Sequence, residues 1–138
     1  MIDRARLDQM LSKLEGYLEV LRVLGRVPHA EFLANPDKVG NAKYHFVVAI
    51  ECCIDIANHV IASERYRLPQ DNADCFVVLV ERGVVPERLR EPLKAMARFR
   101  NRLVHVYWDV DDGAVHDYLL ESLQDIDDFA RAVGSMSV

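Results

Sequence analysis

The densest chemistry in the chain lies in Ala97-Arg-Phe-Arg-Asn-Arg-Leu-Val-His-Val-Tyr-Trp108, which packs three arginines, an asparagine, a histidine and a tyrosine into twelve residues. Phe99, Leu103 and Val106 recur at helical spacing, which predicts a helix with those three facing a core. At about 100° per residue, Lys94, Arg98, Asn101, Arg102 and His105 share the opposite, polar arc. Arg100 falls instead among Leu93, Met96, Leu103 and Tyr107. An arginine on an apolar arc needs a carboxylate, an interface or a phosphate, because a guanidinium is seldom buried unless paired.

These residue types fit cleavage of RNA without a metal or cofactor. A base takes the ribose 2′-hydroxyl proton, and the oxygen attacks the adjacent phosphate. The 5′-oxygen leaves and a 2′,3′-cyclic phosphate remains. Histidine exchanges protons near neutral pH, so His105 is the expected general base or acid. Arginine offers a planar, permanently charged fork for phosphate oxygens, which suits Arg100. Asn101, one turn before His105, is placed to fix the imidazole tautomer or hold a phosphate oxygen. One gap remains: Arg100 and His105 stand about 140° apart on a straight helix. The arginine must wrap around, the helix must unwind near His105, or a second copy of the motif must face the first.

Arg100-x4-His105-x-Tyr107, with Asn101 directly after the arginine, resembles the signature of the HEPN ribonuclease superfamily. The added tyrosine is similar to its HepT branch, the toxins of HepT–MntA toxin–antitoxin pairs. Ala49-Ile-Glu-Cys-Cys-Ile-Asp-Ile-Ala-Asn-His-Val-Ile61 resembles the long second helix of the same branch. The resemblance implies a homodimer with both motifs in one basic cleft. It implies a toxin endoribonuclease with Arg100 and His105 catalytic. It also implies a partner, an MntA-like nucleotidyltransferase antitoxin that transfers AMP to the Tyr107 hydroxyl and so blocks RNA at the anion site. A different class of reading is a non-catalytic helical subunit that binds a nucleotidyltransferase and presents substrate to it. A purely structural dimeric bundle, with Arg100 as an interface ion pair, is a third.

The elements that must position these residues read as all-α, an antiparallel four- to five-helix bundle in one domain, 1–138. Leu7, Leu11, Leu14, Leu18 and Leu21 mark a helix over 3–24, with Gly25 as its stop. A short turn is expected at 28–34. Asn35-Pro36 opens a long helix to about Arg65, as N-cap and first residue. Along it, Glu51, Asp55 and Asn58 share a flank from which Glu51 or Asp55 could orient Arg100 or His105. Glu51, Asp55 and His59 also suggest a metal, but they are what a surface helix looks like, and none is expected. Asp71 caps a helix over 72–82 that ends at Gly83. The motif helix is expected over about 92–107 and a last helix over 114–133, with His116 at its exposed start. Tyr44 and Trp108 could stack a base, but packing is the expectation for both.

The charge pattern limits the partners. The net charge of −5 argues against a general nucleic-acid binder, yet residues 87–102 hold six basic and two acidic groups while 103–138 hold one and eight. A basic patch made by Lys94, Arg98, Arg100 and Arg102 on an acidic body suits a small anionic target such as one RNA segment or a nucleotide, not long duplex DNA. The plainer alternative is that these arginines pair with the acidic C-terminal helix. Apolar residues make up 51% of the chain, with no unbroken apolar run near the ~20 residues of a membrane span. The start lacks a signal-peptide core. Cys52, Cys53 and Cys75 have no Cys-x-x-Cys spacing and read as buried hydrophobes. A cytoplasmic location is expected.

Overall fold

The computed structural model describes residues 1–136. Seven α-helices follow one another: α1 (Arg4–Gly25), α2 (His29–Leu33), α3 (Pro36–Glu64), α4 (Asn72–Glu81), α5 (Arg90–His105), α6 (Asp112–Glu121) and α7 (Leu123–Gly134). Single 3-10 turns precede and follow α5, at Glu87–Leu89 and Tyr107–Asp109. The described residues contain no strand.

Local signals set most of the boundaries. Asp3, Asn35 and Asp71 each accept a hydrogen bond from a backbone N–H three residues on, capping α1, α3 and α4. Gly83 closes α4 at φ +73°, a conformation that costs glycine nothing. Gly25 ends α1 in another way: a Cβ there would lie 3.4 Å from the Leu119 carbonyl, so its bareness lets α6 approach.

The core forms where α3 runs through the bundle. Val39, Ala42, Phe46, Ile50, Cys53, Ala57, Val60 and Ile61 are buried along it, as the periodicity predicts. α1 covers one side with Leu7, Leu14, Leu18 and Leu21, and α4 and α5 cover the other. By length and composition α3 could cross a membrane, but here it is the enclosed central helix, touched by α1, α2, α4, α5 and α6. All three cysteines are free and buried, and burial pushes the Cys52 thiol up to about 11 and Cys75 up to about 12.

Three expectations are corrected. The last helix is not continuous, because the chain bends at Ser122. This lets α6 pack on α1, α2 and α3 while α7 lies on α1 and α5. His116 is not exposed. It is 2% accessible, its Nε2 sits 2.9 Å from the Val27 carbonyl and its Nδ1 3.1 Å from His29 Nδ1. The α6 approach allowed by Gly25 carries it inward against Phe32. The motif helix starts at Arg90 and ends at His105, two residues early at each end. Pro92 is tolerated because it falls in the first turn, where its missing N–H has no helical acceptor.

Candidate active site

Arg100 reaches its site from the seam between α5 and α3. Its Nη2 donates to Glu51 Oε1 at 2.8 Å and its Nη1 to Asn101 Oδ1 at 3.1 Å. Its side chain is 20% exposed, and its Nε has no partner among the described residues. The misplaced arginine of the helical wheel thus finds a carboxylate. Of the two candidates on α3, Glu51 takes it. Asp55 lines the adjoining cleft, together with Ile54, Asn58 and Asn72, without pairing to Arg100.

Asn101 is committed to Arg100 and makes no bond to His105, a correction to the tautomer role. The Arg100 fork lies beside the Asn101 amide and captures its oxygen. His105 is exposed and makes no hydrogen bond among the described residues. Neither Glu51 nor Asp55 orients it. α5 stays regular up to His105, then Val106 leaves helical geometry at φ −136°, ψ 44°. The break therefore comes after the histidine, and the angle between Arg100 and His105 is not closed by unwinding.

The basic residues of α5 and of the turn before it divide cleanly. Arg88 pairs with Asp128 of α7, Arg90 with Glu87 and Lys94 with Glu91. Arg98 and Arg102 are exposed and pair with no carboxylate among the described residues. Pairing with the acidic C-terminal helix thus accounts for Arg88 alone. Lys94, Arg98 and Asn101 line a groove of about 690 Å³ against Gln70, Asp71 and Asn72 at the start of α4. That size is in the range of small-ligand sites. Asn72 lines both this groove and the cleft holding Arg100, so the two join there. The sequence reading overlooked Asn72, which looked like an ordinary first residue of a helix.

Tyr107 lies off α5, in the 3-10 turn, and not on the same helical face as Arg100. Its ring rests on α3, with Lys43 Nζ 4.4 Å from the ring centroid and Gly40 beneath its hydroxyl. Lys43 is 6% exposed and pairs with Asp112 at 3.1 Å. It too was missed: a lysine beside Ala42 in a helical pattern reads as surface. Eight residues of α3 separate Lys43 from Glu51, about 12 Å along the axis. Trp108 and Tyr44 are 82% and 61% exposed rather than packed. The turn after Val106 puts Val110 into the core and leaves Trp108 outside.

No three His, Cys, Asp or Glu side chains converge as metal ligands among the described residues. The arrangement is a clamped arginine on a basic helix with an exposed histidine at its end. Residues 8–133 match the family model described as ribonuclease HepT-like. The chain belongs to the HepT-like ribonuclease family. Curated relatives agree. An mRNA nuclease HepT of Shewanella oneidensis is 33% identical over 83 residues, 60% of this HepT-like chain and 62% of that protein. A tRNA nuclease HepT of Aphanizomenon flos-aquae is 21% identical over 134 residues, covering 97% and 91%. The fold matches that of a tri-AMPylated Shewanella oneidensis HEPN toxin solved in complex with an MNT antitoxin, with TM-score 0.87 and 21% identity over 99% of this chain and 100% of that one.

Proposed function

We propose that this HepT-like chain is a cytoplasmic toxin endoribonuclease that cuts RNA without a metal. Arg100 holds the scissile phosphate and His105 transfers the proton. Lys94, Arg98 and Arg102 draw in the RNA backbone. Glu51 and Asn101 fix the arginine, and Asp55 lines its cleft. The observation that carries this reading is the Arg100 clamp: a half-buried guanidinium held from two sides, opening onto a groove lined by further cations.

The geometry also supports a homodimer. Arg100 is turned toward Glu51 on α3, and α5 is regular through His105. Of the three ways to bring both groups to one phosphate, this arrangement favours a second copy of the motif. Val104, Tyr107 and Trp108 are exposed around His105 and supply apolar surface for such a contact.

Control falls to Tyr107, whose hydroxyl makes no hydrogen bond among the described residues. The Shewanella toxin is AMPylated and bound to an MNT antitoxin. On this chain the same modification, made by an MntA-like nucleotidyltransferase, would set phosphates and adenine on α3. A chain of several such units could span the 12 Å or so to the level of Arg100 and fill the anion site. The test is an intact-mass spectrum of the protein expressed alone and then with the cognate nucleotidyltransferase. A gain of one or more AMP units, lost in Tyr107→Phe, is expected. A stable complex with no gain, and no growth defect from the protein alone, favours the non-catalytic subunit.

A further inference from the structure

Lys43 has no part in RNA cleavage as described, yet it is among the most enclosed charges in the protein. Burying a lysine is costly unless its charge is met. The charge is met twice: Asp112 Oδ1 lies 3.1 Å from Nζ, and the face of the Tyr107 ring lies 4.4 Å away. The second contact is a cation over an aromatic face, attractive at this distance and stronger where water is excluded. Asp112 is itself half-exposed and sits in the first turn of α6, so it anchors the lysine without needing it for its own solvation.

Gly40 completes the arrangement. It lies inside α3, where glycine costs about 1 kcal/mol relative to alanine. A Cβ there would lie 3.9 Å from the Tyr107 hydroxyl, an ordinary contact distance, so the oxygen sits over this bare point of α3. The surface of α3 is thus low under the hydroxyl and charged under the ring. Among the described residues the hydroxyl has no hydrogen bond, while the ring is held.

We propose that Lys43, anchored by Asp112 beneath the Tyr107 ring, is the positioning residue that presents the Tyr107 hydroxyl for adenylyl transfer. This rests on Tyr107 being the acceptor. In the step, Tyr107 Oη attacks the α-phosphorus of ATP and the Oη–P bond forms. The α–β phosphoanhydride bond breaks and pyrophosphate leaves with its electron pair. The phenol proton passes to a base on the transferase or to water. Lys43 does not touch the reacting phosphorus. It holds the ring in one orientation, so that the bound complex is a reactive one.

The experiment follows modification of the full-length purified protein by the purified cognate nucleotidyltransferase and ATP, by intact mass, against protein concentration. In Lys43→Met we expect kcat for transfer to fall about tenfold or more, with KM within about twofold. RNA cleavage should be unchanged. Lys43→Arg, which keeps a cation over the ring, should recover most of the rate. Asp112→Asn, a change at a half-exposed side chain that leaves the core intact, should give a smaller loss in the same parameter. Transfer to Lys43→Met at the wild-type rate overturns the inference, as does a loss that Lys43→Arg fails to relieve and that tracks a fall in melting temperature. If the wild-type protein itself gains no mass, the reading of Tyr107 as acceptor fails, and the positioning role falls with it.

Discussion

In the proposed cleavage Arg100 is the held group and His105 the free one. The guanidinium is fixed to Glu51 and Asn101, whereas the imidazole stands in solvent at the end of α5. A proton-transfer group contributes about 10²- to 10⁴-fold to such reactions. His105→Gln should therefore lose at least about 100-fold in RNA cleavage with an unchanged melting temperature, read by gel and by circular dichroism. Glu51→Gln should act differently. The carboxylate is 42% exposed, so the stability change should stay within about 1 kcal/mol. Cleavage should drop because Arg100 loses its fixed orientation, and a cleavage rate equal to wild type would remove Glu51 from the site. The Arg100–Glu51 pair was legible in the sequence because a helical wheel exposes a charge on the wrong arc, and α3 offered carboxylates on one flank. Lys43 was not legible. Its burial is made by Tyr107 and Asp112, residues more than sixty positions away, and depends on where α5 stops.

At the scale of elements, the stop after His105 decides most of what the sequence left open. No glycine or proline marks it. The chain turns because Val110 fills the core, which is a tertiary cause, and so Tyr107 leaves the helix on which periodicity had placed it. The bend at Ser122 is of the same kind: α6 buries Val115 and Leu119 and α7 buries Ile126, Phe129 and Val133, but the two follow different neighbours. Boundaries with a local cause, the caps at Asn35 and Asp71 and the glycine at 83, were read correctly. The start of α4 carries a further consequence. Arg67 hydrogen-bonds Asp74 and holds its carboxyl at about 2, below its ordinary 3.8. A depressed carboxyl stabilises the fold fully above its unfolded value and loses that contribution as pH falls. Acid unfolding should therefore steepen between about pH 4 and pH 2, and Arg67→Ala should flatten that limb in a pH series of melts. An unchanged limb would show the pair contributes nothing. In α6, His116→Ala removes a buried ring and its bond to Val27, and should cost about 2–3 kcal/mol in urea unfolding. A change below 1 kcal/mol would mean the His29–His116 contact is incidental.

The whole molecule sets a local positive patch on an acidic body, and the fold concentrates it further. Pairing to α7 and to Glu87 takes up Arg88 and Arg90, while Lys94, only loosely paired to Glu91 at 3.5 Å, stays with Arg98 and Arg102 for an outside anion. Two such patches facing each other would make one cleft. Sedimentation should give twice the chain mass of 15.8 kDa. Val104→Glu, placed on the exposed apolar surface beside His105, should shift the protein to monomer and abolish cleavage together. A monomeric Val104→Glu that still cleaves would show that one motif suffices.

In the proposed reaction the Arg100–His105 site cleaves RNA by itself, with no metal. Incubation of the purified protein with RNA in excess EDTA, followed by analysis of the new ends, tests this. Fragments ending in 2′,3′-cyclic phosphate are expected from the wild-type protein and none from His105→Gln. Fragments ending in a 3′-hydroxyl, a strict need for a divalent ion, or equal cleavage by His105→Gln would rule the reaction out.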